Sequence, residues 1–165
     1  MGSILEALSP EQQIACSTQN NILLTACPGS GKTRTLTHRL AYQVLRDPAS
    51  KKIKIAITYT NRAAEEITNR LEGMNIDQSS IWAGTIHQFC MHFIIRPYAM
   101  YSKRLCKGYR IIDDYSKKAY GREIAERLGM HLNYYDDPFQ YENVRTEYKR
   151  VLKEKKEIDF DAILL

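Results

Sequence analysis

LLTACPGSGKTRTL, residues 23–36, begins as an apolar run and ends as a basic, hydroxyl-rich one, with Pro28, Gly29, Gly31, Lys32 and Thr33 at the junction. A strand, a glycine-rich turn and a helix in that order make the backbone on which phosphate-binding loops are built. ACPGSGKT, residues 26–33, departs from the general GxxxxGK[ST] pattern at one position, where Ala26 stands for the first glycine. The loop residues Ala26, Cys27, Pro28, Gly29, Ser30 and Gly31 are therefore the candidate phosphate cradle. Glycine lets the backbone come close to phosphate oxygens, and successive N–H groups then point inward beside the positive end of the following helix. Lys32 supplies a mobile point charge for β and γ phosphates, and the Thr33 hydroxyl is a hard oxygen ligand suited to Mg²⁺. The bland alternative is a glycine-rich turn that binds nothing. At average residue usage a match this close arises by chance about once in a thousand chains of this length, which favours the phosphate loop.

Outward from the loop, short apolar runs alternate with helical text. NILLTA precedes a helix from Gly31, IKIAIT precedes a helix from about Asn61, and SIWAGT leads into IHQFCMHFII, which Pro97 is expected to stop. Alternation of this kind implies an α/β fold, a parallel sheet with helices on both faces. Beyond about Ser116 the text turns charged, Tyr-rich and helical, as in KKAYGREIAERLGM and YENVRTEYKRVLKEKKEI.

Composition narrows the class. The chain has 165 residues, 44% of them hydrophobic and 26% charged, which is enough for one domain with a real core. No apolar run approaches the roughly 20 residues of a membrane span, so no membrane partner is expected and a cytoplasmic location is. Cys16, Cys27, Cys90 and Cys106 are scattered with no CxxC, which reads as reduced thiols. The excess of 24 Lys and Arg over 19 Asp and Glu, a net charge of +5, permits a polyanionic partner without demanding one.

GKTRTLTHRLAY, IAITYTNRAAEEI and WAGTIHQFC resemble, in order and spacing, the first motifs of the UvrD/Rep-type superfamily 1 DNA helicases. LSPEQQIA resembles the glutamine motif of that family, and IDFDAILL the helix by which the chain returns from the small 1B subdomain to the motor core. The resemblance implies a partial RecA-like core over residues 1–115, a helical 1B-like insertion over 116–157, and the start of the return at 158–165. It makes Gln12 the adenine reader, Lys32 and Thr33 the catalytic phosphate and metal groups, and places Arg34 near the nucleotide, with ATP and Mg²⁺ as cofactors. It assigns Tyr59, Thr60, Asn61 and Arg62, then Gly84, Thr85 and His87, to single-stranded DNA. Tyr59 stands where the family carries Phe, and an aromatic face stacks on any base. The alternatives are a Tyr59 that fills core space, an Asn61 that only caps its helix, an exposed Gln12 and a solvated Arg34. Ile86 replaces the usual Phe of its motif. Ala63, Ala64, Ile67 and Leu71 share one helical face and read as core.

Hydrolysis in that family needs an Asp-Glu pair after an apolar strand. YRIIDDYS imitates it, but only Ile111 and Ile112 precede Asp113, so the chain is expected to stop before that strand and to hydrolyse little ATP alone. The resemblance implies an intact protein that is an ATP-driven motor on single-stranded DNA, moving 3′ to 5′. A non-catalytic nucleotide- or DNA-binding module, and another phosphate-loop NTPase or kinase, are the alternatives. An uncovered sheet edge would lead the fragment to self-associate.

Overall fold

Backbone N–H and C=O groups need partners, so an apolar run becomes a strand only where another strand lends it an edge. In the computed structural model, which describes residues 2–164, IKIAIT and SIWAGT find one another. Strand β1 (Lys54–Thr58) pairs in parallel with β2 (Ile81–Thr85), with Ala56 opposite Ala83 and Thr58 opposite Thr85. NILLTA does not become the expected strand. Residues 21–27 carry no regular structure, and Ile22, Leu23 and Leu24 are exposed. Their backbone has no ladder to join, because β1 and β2 pair with each other in a two-stranded sheet and no other strand is added to it among the described residues.

The chain divides after Ile86 into two compact units. In the N-terminal unit, helices α1 (Gly2–Leu5), α2 (Pro10–Ser17), α3 (Lys32–Arg46) and α4 (Asn61–Gly73) accompany the sheet. Helix α2 starts with a capping box, in which Ser9 and Gln12 satisfy each other's backbone N–H groups. Arg39 of α3 donates to the carbonyl oxygens of Ala15 and Asn20, and the buried Cys16 thiol donates to Thr35 O, so α2 is tied to α3. Burial pushes the Cys16 thiol pKa up. The core joins Leu40, Ala41 and Val44 of α3, Ala56 of β1, and Ile67 and Leu71 of α4. Ala64, Ile67 and Leu71 are buried as the helical spacing predicts. Covered and open faces of β1 alternate with the strand period, since Ala56 is 3% exposed while Ile55 and Ile57 are 40% and 45% exposed. The helices thus cover one face of this short sheet.

The C-terminal unit starts at His87. Pro97 does not end the helical run. After α5 (Ile86–Cys90) comes a π-helical stretch, Met91–Ile95, in which the Arg96 N–H donates to Met91 O, five residues back. That wider turn lets α6 (Arg96–Tyr98) begin afresh, with Pro97 in its first turn where a missing N–H costs little. Helix α7 (Asp114–Arg127) and helix α8 (Glu142–Lys155) form the expected helical pair. The end of the predicted helical text is a strand instead: β3 (Arg110–Ile111) pairs in parallel with β4 (Glu157–Ile158), and α9 (Phe160–Leu164) follows.

Ile112, Ile124, Ala125, Val144, Tyr148, Val151 and Leu152 make this unit's core. Helix α7 approaches so closely at Gly121 that a Cβ there would lie 2.9 Å from the Phe139 ring. The Glu157 carboxylate is 1% exposed and receives the Arg110 guanidinium, which raises the Arg110 pKa. Among the described residues no helix is long and apolar enough to cross a membrane.

Candidate nucleotide and nucleic-acid site

The phosphate loop closes on itself before α3 begins. The Ser30 N–H and Oγ both donate to Cys27 O, at 3.2 and 2.7 Å, and Gly29 and Gly31 take left-handed conformations with φ of 80° and 88°. A side chain at Gly31 would be strained by that φ and would also meet Gln12 Nε2 at 3.0 Å. Lys32, the first residue of α3, folds back so that its Nζ donates to Ala26 O at 2.9 Å and to Cys27 O at 2.7 Å. The ammonium therefore sits on the loop's own carbonyls, close to the free N–H groups of the first turn of α3. The arrangement brings together a cation, a glycine-shaped backbone and a helix N-terminus, the combination that fits a polyphosphate. Thr33 is half-buried in the same turn, and its carbonyl accepts from the Thr37 hydroxyl at 2.8 Å.

Gln12 and Arg34 lie against this loop in different ways. Gln12 Nε2 donates to Ser30 O at 3.2 Å, while its Oε1 accepts the Ser9 N–H at 3.1 Å. The amide thus links the cap of α2 to the phosphate loop. Arg34 turns toward the N-terminal helices, donating to Ala7 O at 2.9 Å.

The second cluster lies at the C-terminal ends of the two parallel strands. Tyr59 follows β1 and is 97% exposed, which excludes the core-filling alternative. Thr60, and not Asn61, caps α4: its Oγ1 accepts from the Ala63 N–H at 3.2 Å, and Asn61 and Arg62 stand exposed in the first turn. Gly84 is buried opposite Ile57, and Thr85 lies opposite Thr58. The backbone thereby brings Tyr59, Thr60, Asn61, Arg62, Gly84 and Thr85 to the C-terminal end of the sheet. His87 belongs to the C-terminal unit, where its ring meets that of Phe160 edge-on at 5.2 Å.

Residues 8–138, most of the chain, match the UvrD/REP helicase N-terminal domain. The chain belongs to this family. It is 39% identical over 98 residues to the ATP-dependent DNA helicase PcrA of Staphylococcus aureus, and 40% identical over 95 residues to the protein of that name from Bacillus subtilis. Those alignments cover 58% and 56% of this chain but 13% of either relative, so the chain spans a small part of the proteins it matches.

In this UvrD/REP chain one polar residue at the strand ends escaped the sequence reading. The Thr58 hydroxyl donates to Thr60 O at 2.9 Å and lies 3.4 Å from Gly84 O, so it joins the two segments assigned to DNA. Its signal was present: a threonine closing the otherwise apolar run IKIAIT. Asp113, the imitation magnesium ligand, is the cap of α7. The Ser116 N–H donates to its Oδ1 at 2.8 Å and holds the Asp113 carboxyl pKa down.

Proposed function

We propose that this chain is the nucleotide- and single-strand-gripping part of an ATP-dependent DNA helicase that moves 3′ to 5′ on single-stranded DNA in the cytoplasm. The observation that carries the reading is the folded-back Lys32 over the Ala26 and Cys27 carbonyls, in a loop whose two glycines take left-handed conformations that strain any other residue.

Ala26, Cys27, Pro28, Gly29, Ser30 and Gly31 would hold the phosphates of ATP, Lys32 would leave its carbonyls for the β and γ oxygens, and Thr33 would hold Mg²⁺. Bound Mg²⁺-ATP would supply the phosphoryl group whose loss drives the motor. Gln12 would read adenine with its spare donor and acceptor capacity, and Arg34 would stand nearby. Tyr59 would stack on a base, Thr60, Asn61 and Arg62 would meet phosphates, and Gly84, Thr85 and His87 would follow the strand.

In domain terms, residues 1–115 would be the core portion, 116–157 the 1B-like insertion and 158–165 the return. Asp113 is occupied as a cap in the C-terminal unit. That engagement supports the reading that the chain by itself hydrolyses little ATP. The exposed Ile22, Leu23 and Leu24 and the open Ile55 and Ile57 face support self-association of the isolated chain.

ATP hydrolysis by the natural gene product, measured with and without single-stranded DNA, tests the reading. Stimulation by DNA that falls at least about a hundred-fold in Lys32→Ala is expected, since a lost phosphate clamp removes transition-state charge stabilisation. Turnover indifferent to DNA would make the protein another kind of phosphate-loop enzyme, and no turnover would leave a binding module.

A further inference from the structure

The C-terminal unit carries an aromatic surface that none of the family motifs includes. Tyr134 and Tyr135 are 82% and 93% exposed, and their rings stand at 89° with centroids 5.3 Å apart. Two neighbouring tyrosines this open usually belong to a flexible tip, yet this loop is braced from both sides. Asn133 N–H donates to Asp136 Oδ2 at 2.7 Å, and the Asp136 N–H returns to Asn133 O at 3.2 Å. The Arg122 guanidinium reaches from α7 to the carbonyls of Asn133 and Tyr134, and its Cζ lies 5.7 Å from the Tyr134 ring centroid. The result is a rigid corner made of one ring face and one ring edge, with a cation layered on it.

The rings overhang a cleft of about 640 Å³. Its apolar lining is aromatic or prolyl, from Tyr134, Tyr135, Pro138 and Phe139, with no Leu, Ile, Val or Met. A protein partner's aliphatic anchors would find little to pack on there, whereas flat π faces would. Four aspartates, Asp114, Asp136, Asp137 and Asp161, line the cleft beside Lys117, Lys118 and Arg122, so it carries no excess of positive charge. Asp136 and Asp137 accept the Asn133 and Phe139 N–H groups at 2.7 and 3.0 Å, and Asp161 pairs with Lys117. Lys118 also lines the cleft, and Arg122 is layered on the Tyr134 ring while it holds the Asn133 and Tyr134 carbonyls. Open ring faces on a braced loop are what stack on unpaired bases without sequence preference, and here the rings, not the charge of the cleft, carry the contact.

We infer that Tyr134 and Tyr135 form a second nucleobase-stacking platform, separate from Tyr59, that takes unpaired bases of single-stranded nucleic acid. The inference rests on the reading of the chain as a single-strand binder. Its test is equilibrium binding of a short labelled oligothymidylate, and of an abasic strand of equal charge, to the whole chain carrying Tyr134→Ala, Tyr135→Ala, Tyr134→Phe, Tyr135→Phe or Tyr59→Ala. Far-UV circular dichroism checks that each variant folds, as side chains this exposed should allow.

Each of Tyr134→Ala and Tyr135→Ala is expected to weaken oligothymidylate binding roughly ten-fold, with the Phe variants close to wild type. On the abasic strand, the ratio of wild type to each Ala variant is expected to stay near one. Equal losses on both strands would overturn the stacking role. Binding lost in Tyr59→Ala but unmoved by changes at Tyr134 and Tyr135 would overturn the second platform and leave the single-strand reading standing. No binding of either strand by the wild-type chain would overturn both.

Discussion

The N-terminal unit exposes its chemistry on unfinished secondary structure, whereas the C-terminal unit spends its polar groups on closing itself. In the first, residues 21–30 are all exposed, Tyr59 points outward, and the parallel sheet keeps one face open. In the second, a buried Glu157 takes Arg110, the Tyr148 hydroxyl donates to Asp159 at 3.0 Å, and Asp113 caps its own helix. Chain length and core size do not separate them, since each has one apolar cluster of comparable make-up. What differs is where the polar groups sit: in pairs with a buried carboxylate, such as Arg110–Glu157 and Tyr148–Asp159, in the C-terminal unit, and on an exposed loop and exposed strand ends in the N-terminal one. Groups left free on a supported backbone are available to ligands, and groups locked in pairs are not.

The sharpest test of this division uses the cores. Leu71→Ala in the N-terminal cluster and Ile124→Ala in the C-terminal one each remove a side chain no more than 1% exposed, and each is expected to cost about 2–5 kcal/mol. Trp82, the chain's single tryptophan, lies in β2 of the N-terminal unit. In urea, Leu71→Ala is expected to shift the Trp82 fluorescence transition, while Ile124→Ala shifts the far-UV circular dichroism transition and leaves the Trp82 signal behind. Coincident shifts would merge the units into one cooperative body and end the comparison.

A smaller effect probes the locked polar groups. Burial, and then the charge of Asp159, drives the Tyr148 pKa far above its ordinary value of 10.0. A pKa raised on folding means that the native state favours the neutral phenol. Its contribution is therefore complete below pH 10 and is lost as pH rises above it. Tyr148→Phe is expected to cost about 1.5–3 kcal/mol at neutral pH by removing a buried hydrogen bond to a carboxylate, and to flatten the loss of stability in alkali. An unchanged alkaline limb would show that Tyr148 is not the group responsible.

Next in size is the phosphate loop. Gly31→Ala forces a side chain into a left-handed backbone, at about 1–2 kcal/mol, and presses it against Gln12. Thermal unfolding is expected to fall modestly, whereas binding of a fluorescent ATP analogue should fall by a larger factor, because the loop must move away from Gln12. Equal loss of both would mean that the glycine serves the fold and not the ligand.

How far the sequence alone reached follows the same division. The glycine turn and the helix start at Lys32 were legible because a phosphate-loop pattern fixes residue type at set spacing, and the α4 core face was legible because Ala64, Ile67 and Leu71 follow the helical period. NILLTA was misread as a strand because an apolar run states a preference for burial and pairing, while the ladder itself depends on a neighbour. The strand Glu157–Ile158 was hidden inside helical text because its partner, Arg110–Ile111, lies far back in the chain. Pro97 misled for another reason: the sequence shows a helix breaker, but not the π-turn before it that makes the break unnecessary. Thr58 escaped because its role is to bridge two carbonyls, which no motif records.

The smallest expected change in stability carries the last test. Ile57→Lys places a charge on the open face of β1, where the native side chain is 45% exposed, so the free energy of unfolding should move by no more than about 0.5 kcal/mol. Its effect on association should be far larger, because a lysine on an unpaired sheet resists edge-to-edge contact while leaving the fold intact. In sedimentation velocity over a concentration series, the wild-type chain is expected to associate and Ile57→Lys to remain monomeric. Should both stay monomeric at high concentration, the apolar surface around Ile22, Leu23, Leu24, Ile55 and Ile57 is tolerated by solvent. The incompleteness of the N-terminal unit would then lie in its backbone pairing and not in its exposed side chains.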